Sequence, residues 1–133
     1  MEVNGKKIKL FYSNLAVKEI EELCGGLHNL GQLFRKDNVA EQYAGLISLI
    51  RILANANITK ENAEIALGMR EGEKKEKYID DVIEAVLDIA KTEEYLQEVF
   101  EVMGIASKFE VPDGLKMASS DIDLEEIEAE RNP

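Results

Sequence analysis

The chain contains few of the residues on which many enzyme sites and nucleic-acid sites depend. Its 133 residues include no Trp, one Cys, one His and two Pro, and aromatic residues make up 6%. A zinc site needs about four ligands, usually Cys or His, so Cys24 and His28 cannot form one by themselves. A single cysteine also excludes an internal disulfide. The scarcity of aromatic rings argues against stacking of single-stranded nucleic acid.

Basic residues are also scarce relative to acidic ones. There are 16 Lys and Arg against 27 Asp and Glu, which gives a net charge of −11. A nucleic-acid backbone would be repelled unless the basic residues were segregated in a patch, whereas a basic protein partner, or solubility alone, suits this charge. The opening Met1–Gly5 lacks the features of a signal peptide. We therefore expect a cytoplasmic protein that binds neither membrane nor nucleic acid.

The most apolar stretch, Gln42–Ala56, predicts a helix at the centre of the fold. Six Leu and Ile residues occupy positions 46–53, where only Ser48 and Arg51 interrupt them. This spacing does not alternate as in a half-buried strand, and it leaves apolar side chains on most of the helix circumference. The run is too short for a transmembrane span of roughly 20 residues. Other elements must therefore cover this helix.

Turn and cap residues predict the elements that precede the central helix. Asn4-Gly5 is typical of a two-residue hairpin turn, and we expect the second strand to reach Phe11 or Tyr12. Ser13 or Asn14 caps a first helix that ends at Gly25-Gly26, a short helix begins near His28-Asn29, and Asp37 or Asn38 caps the central helix.

The second half of the chain predicts three more helices. We expect the central helix to stop near Asn55–Asn57 and a short helix to run from Thr59 to Gly68. Apolar spacing over Ile79–Ala90 predicts an amphipathic helix. Thr92 is the predicted cap of a last helix that ends at Gly104. The fold class is thus mainly α: a compact domain of about five to six helices around a buried central helix, with a small N-terminal β-hairpin.

The composition changes near Ser107, which divides the chain into a helical domain (1–106) and an acidic, flexible tail (107–133). The tail holds eight acidic residues against three basic ones, so it carries −5 of the net −11. Such a composition lacks the apolar residues needed for a core of its own, and we expect disorder in isolation.

No group of residues predicts catalysis, a cofactor or a metal. Cys24 lies on the apolar face of the first helix, where packing is the usual role, and His28 follows a Gly-Gly helix end. Asp80, Asp81, Glu84 and Asp88 lie opposite an apolar stripe, which is typical of a solvated face. We therefore expect a protein that is not an enzyme.

Residues 57–70 also resemble the first helix and turn of a helix-turn-helix motif. A recognition helix would then begin near Arg70 and carry Lys74, Lys75 and Lys77, but Glu71, Glu73 and Glu76 offset that charge. A small regulatory protein is the alternative function: either a DNA binder of this kind or an acidic adaptor that sequesters a basic partner.

The order of these pieces resembles the tail assembly chaperones of long-tailed bacteriophages and prophages. The resemblance covers roughly residues 1–105 and is carried by Val3–Phe11, the acidic helix Ala16–Leu23 with Gly25-Gly26, the apolar central helix and the Thr59–Ala63 helix start. It implies a non-enzymatic chaperone in the host cytoplasm that binds the tape measure protein, or another tail protein, during assembly. In many such genes a ribosomal frameshift yields an extended product, which could diverge within residues 107–133.

The last predicted helix supplies the candidate partner-binding residues. They are its apolar stripe and one aromatic residue of the tail: Tyr95, Leu96, Phe100, Met103 and Phe109. The same stripe could instead be core, or could mediate self-association, and the sequence leaves these alternatives open.

Overall fold

A computed structural model describes residues 1–35 and 38–105, and this part of the chain is mainly helical with a small N-terminal hairpin. The predicted fold class is confirmed. The elements are β1 (Glu2–Val3), β2 (Lys6–Lys7), α1 (Asn14–Cys24), α2 (Val39–Ala66), α3 (Asp80–Val86) and α4 (Thr92–Val102), with 3-10 helices at Leu27–Phe34 and Ile89–Lys91. The predicted acidic tail lies outside the described residues.

Helix α2 is the centre of the fold, as its apolar circumference predicted. It contacts α1, α3, α4 and the Leu27–Phe34 helix. Leu46, Ile47, Leu49 and Ile52 are at most 4% exposed. Because these side chains point in different directions around the axis, no single neighbour could cover them.

The predicted turns and caps before α2 are confirmed in detail. Asn4 and Gly5 both have positive φ, 51° and 79°, as a type I′ turn requires. The Ser13 hydroxyl accepts a hydrogen bond from the Ala16 N–H, and Asn38 accepts one from the Glu41 N–H. Gly25 ends α1 in the left-handed conformation, with φ 74°.

The prediction that the second strand reaches Phe11 or Tyr12 is wrong, because β2 ends at Lys7. The Ile8 backbone still pairs with Met1, at 2.6 and 2.9 Å, and among the described residues no backbone partner on the first strand follows for Lys9 to Tyr12. The chain turns instead across α2, where the Phe11 N–H donates to the Leu53 carbonyl at 3.1 Å.

The predicted stop near Asn55–Asn57 is also wrong, because α2 continues without a break to Ala66. No Gly or Pro lies between Asn55 and Ala66, and the Asn55 side chain bonds the Tyr78 backbone instead of capping a new helix. Thr59 therefore lies inside the helix rather than at a cap, and its hydroxyl has no hydrogen-bond partner among the described residues. The predicted end is nearly correct, since Gly68 follows with φ 74°.

Residues 75–79, here called the return segment, run back along α2 and are held by asparagine side chains. Asn62 Nδ2 donates to the Lys75 carbonyl, and the Lys75 N–H donates to Asn62 Oδ1, both at 2.9 Å. Asn55 makes the same pair with Tyr78, at 2.8 and 2.7 Å. Seven helical residues rise about 10 Å, and three extended residues span about the same distance. The two segments are therefore in register.

The helix predicted over Ile79–Ala90 is shorter than expected. Helix α3 covers only Asp80–Val86, because Ile79 is extended at the end of the return segment and Leu87 is extended after it. Ile83 is buried, whereas Ile79 is 61% exposed. The Asp88 side chain accepts from the Ala90 N–H and starts a separate 3-10 turn.

The last helix begins at Thr92 as expected, but Thr92 is not its cap. The cap position is Lys91, which makes no capping hydrogen bond. The Thr92 hydroxyl is buried, donates to the Ile89 carbonyl at 2.7 Å and shares a hydrogen bond with the Tyr43 hydroxyl at 3.1 Å. Within the described residues, no helix has the length and apolarity needed to cross a membrane.

Candidate functional site

The clearest candidate site is a groove of about 560 Å³ between the first turns of α2 and helix α3. Its α2 wall is formed by Ala40, Ala44 and Ile47, which lie on one stripe of the helix at four- and three-residue spacings. The two small alanine side chains leave the groove open. Val39 and Ile89 are 43% and 56% exposed beside it, so apolar surface faces solvent along its length.

Carboxylates form the opposite rim of this groove. Asp80, Asp81 and Glu84 come from the first turns of α3. Asp80 is compensated, because Arg51 Nε donates to its Oδ1 and the Ser48 hydroxyl donates to its Oδ2 at 3.3 Å. Asp81 and Glu84 are exposed and keep the rim negative. We call this site the acid-rimmed groove.

Tyr43 lines the acid-rimmed groove and is held in place by a hydrogen bond. The Tyr43 hydroxyl is bonded to the buried Thr92, so the start of α2 is tied to the start of α4. Burial raises the pKa of Tyr43, and the Thr92 hydrogen bond lowers it by less. The phenol therefore stays protonated at neutral pH and serves as structure rather than as a base.

From Val39 to Ile47 the groove follows eight residues of α2, a distance of about 12 Å. An apolar channel of that length accepts roughly two turns of a partner helix that inserts side chains at spacings of three and four. A negative rim favours Lys or Arg beside those side chains.

Four of the five predicted partner-binding residues lie in the core instead of on a surface. Their exposed fractions are 7% or less: Tyr95, Leu96, Phe100 and Met103. The Phe100 ring meets the Phe34 ring edge to face, with centroids 6.1 Å apart. In this structure the stripe packs within its own domain and offers no surface to a partner. Phe109 lies outside the described residues.

The structure does not bring Cys24 and His28 into a catalytic or metal-binding arrangement. The Cys24 thiol donates to the Ile20 carbonyl at 2.9 Å, and burial raises its pKa, which opposes thiolate formation. His28 is exposed on the Leu27–Phe34 helix. Within residues 1–35 and 38–105, no group of three or more His, Cys, Asp or Glu side chains is placed to hold a metal ion.

The helix-turn-helix interpretation is wrong in its geometry. Its first helix is the end of the long α2, and residues 70–79, where a recognition helix would begin, contain no helix. The extended return segment is stabilised there by Asn62 and Asn55. Lys75 and its neighbours therefore present no helix to a DNA groove.

Sequence reasoning missed the acid-rimmed groove because its walls come from distant parts of the chain. One signal was available: Ala40, Ala44 and Ile47 form a stripe of small and apolar residues before the main apolar run. Of the acidic residues predicted to lie on a solvated face, Asp81 and Glu84 are exposed, whereas Asp80 is partly buried and paired with Arg51. Their proximity to α2 depends on the return segment, which no local pattern predicted.

We compared the chain with known protein families, curated proteins and solved structures. No protein-family model, no curated protein and no solved structure matches this chain.

Proposed function

We propose that this protein is a non-enzymatic binding protein that holds a basic amphipathic helix of a partner in the acid-rimmed groove. The groove itself supports this proposal, because it combines exposed apolar side chains with exposed carboxylates over two helical turns. Such surface is costly to leave in water unless a partner covers it for part of the protein's lifetime.

Within this proposal, the partner is the tape measure protein of a bacteriophage or prophage tail, and the protein is its assembly chaperone. The supporting observation is the resemblance of residues 1–105, whose hairpin, acidic first helix and apolar central helix fit that family's plan. A very long helical protein aggregates when its apolar stripes are exposed, and a groove that covers them two turns at a time keeps it soluble.

Gene context and co-expression test this role directly. We expect a very long, helix-rich reading frame immediately downstream, between tail tube and tail tip genes. Co-expression should raise the soluble fraction of its product. A location among metabolic genes would contradict the phage assignment without affecting the groove.

A pair of single substitutions tests the groove. Ile89→Lys places a charge on its apolar lining, and Leu67→Lys places the same charge on an exposed apolar residue outside it. Because both positions are exposed, both variants should fold. We expect only Ile89→Lys to abolish solubilisation of the partner. Equal activity of the two variants would remove the groove from the proposal.

The alternative function, an acidic adaptor that sequesters a basic partner, is supported by the rim carboxylates Asp81 and Glu84. Salt separates the two functions. Binding that rests on the rim alone should disappear at about 0.5 M salt, where the Debye length falls to a few ångström. Binding that also buries the apolar lining should weaken but persist.

A further inference from the structure

A second cleft, of about 290 Å³, is lined by cations although the chain carries a net charge of −11. It lies between the hairpin region, the C-terminal half of α2 and the segment that follows α2. Five of the 16 basic residues line it: Lys6, Lys7, Lys9, Arg70 and Lys75. We call it the basic cleft.

Two distant parts of the chain bring these cations together beside α2. Lys6, Lys7 and Lys9 extend from the hairpin, and Arg70 and Lys75 approach from the other side of α2. The Asn62–Lys75 hydrogen-bond pair holds that second side in place. Tertiary structure therefore joins the local run Lys6, Lys7 and Lys9 to two cations that lie more than 60 residues away in the chain.

A single carboxylate lies within the basic cleft. Glu61 is buried, with Arg70 and Lys75 at 3.6 and 3.5 Å from its oxygens. Arg70 also lies 3.8 Å from Glu64, which is outside the lining, so five cations against two carboxylates leave three positive charges. Lys75 is 68% and Arg70 42% exposed along the side chain, so both can contact a ligand while they remain near Glu61.

The position of Glu61 decides between classes of anion. A compact dianion such as phosphate would meet this carboxylate as it entered the cleft, and like charges at close range repel. Carboxylates spaced along a peptide can each meet one cation on the rim. The cleft therefore suits an acidic peptide better than inorganic phosphate.

The chain supplies such a peptide in residues 121–130, which hold six acidic residues and no basic one. The 15 residues between Ile105 and Asp121 can span about 50 Å, and a domain of about 100 residues has a radius of gyration of about 13 Å. The segment can therefore reach any face of the domain. Tethering gives it an effective concentration in the millimolar range, so weak ion pairs suffice.

We propose that the basic cleft binds the acidic segment 121–130 of the same chain. The segment is drawn to a cleft where cations are in excess and is repelled by the rim of the acid-rimmed groove. This keeps the groove open while the tail is bound elsewhere. The inference does not depend on the identity of any partner.

Paramagnetic broadening in the full chain tests the proposal. A nitroxide is attached at Ser120→Cys in a Cys24→Ser background, and amide signals are compared between oxidised and reduced label. At about 20 mM salt we expect the signals of Lys6, Asn57 and Lys75 to lose at least about half their intensity, and to recover at about 0.5 M salt.

Charge-reversal pairs provide the matched control. Lys6→Glu with Lys9→Glu changes the basic cleft, and Lys18→Glu with Lys91→Glu makes the same change in net charge at exposed positions outside it. Broadening should disappear in the first pair and persist in the second. Equal broadening in both, or broadening centred elsewhere, would overturn the proposal.

Two further measurements test the contact without any additional substitution in the folded domain. Amide substitution of the six acids in 121–130 should shift the Lys6 and Lys75 signals of an otherwise unchanged domain. Mixing labelled and isotope-enriched chains tests whether the contact is within one molecule. Broadening that arises only between molecules would contradict binding within the same chain.

Discussion

The Asn55 carboxamide pairs with the backbone N–H and C=O of Tyr78, at 2.7 and 2.8 Å, in the same way that a neighbouring strand would. Asn62 repeats this pair with Lys75 two helical turns later. A helix without free backbone groups thus uses side-chain amides to hold an extended segment. Both the groove and the basic cleft depend on that segment.

Removal of these amides should destabilise the domain in proportion to burial. Asn55 is 7% exposed, so Asn55→Ala leaves two backbone groups of Tyr78 without partners and should cost about 2–3 kcal/mol. Asn62→Ala loses the same pair at a more exposed position and should cost about 1 kcal/mol. Urea unfolding of the two variants measures the difference, and equal losses would show that burial is not the determinant.

Substitution of Glu61 should change how stability depends on pH. Burial by itself raises the pKa of Glu61, but the Asn57 hydrogen bond and the Lys75 and Arg70 charges outweigh it and hold the pKa below its ordinary 4.5. The unfolded chain thus takes up this proton at higher pH than the folded one, so the contribution is present above 4.5 and is lost as pH falls below it.

The measurement compares urea midpoints of the wild type and Glu61→Gln. We expect the variant to be less stable near pH 7, with the gap narrowing as pH falls through the carboxyl range. Glu71→Gln, at an exposed position, serves as the control and should run parallel to the wild type. A gap that stays constant with pH would contradict a depressed pKa.

Gly45→Ala should destabilise α2, against the usual trend. In an exposed helix this change gains about 1 kcal/mol. Here an added Cβ would lie 3.0 Å from the Leu33 carbonyl oxygen and 3.1 Å from its Cβ, where little can move aside. Overpacking of this kind costs about 1–3 kcal/mol. Thermal unfolding followed by circular dichroism should show a lower midpoint, and a higher one would mean that the Leu27–Phe34 helix shifts freely.

Phe100→Ala should show that the α4 stripe is core. Phe100 is 7% exposed and meets Phe34 edge to face, so the change should cost about 3–5 kcal/mol. Ile89→Ala, at a 56% exposed position, should alter stability by no more than about 0.5 kcal/mol. Chemical denaturation compares them. If Phe100→Ala is as stable as the wild type, the α4 stripe is not core and is again a candidate partner-binding surface.

Much of the local structure was predictable because it depends on neighbours in the chain. Asn4-Gly5 specified the hairpin turn, Ser13 and Asn38 the helix starts, and Gly25 the end of α1. Each acts through a positive φ or a hydrogen bond to an N–H three residues on. The apolar circumference of α2 likewise predicted its burial.

Periodicity identified apolar stripes but could not say which of them would be covered. The α4 stripe was a candidate partner surface and is core, whereas Ile79 and Val82, in the stretch predicted to form one amphipathic helix, are exposed. Burial depends on what packs against a stripe, and that information lies in contacts between distant residues.

The sequence alone determined a helical domain built around α2, with its hairpin, its caps and its excess of acidic residues. Only the tertiary structure decided that Asn55 and Asn62 hold the return segment against an unbroken helix. That contact places α3 beside the start of α2, which creates the acid-rimmed groove, and places Lys75 opposite Lys6, which creates the basic cleft. The physical reason is that each site joins walls more than 30 residues apart in the chain, and no local propensity encodes such a distance.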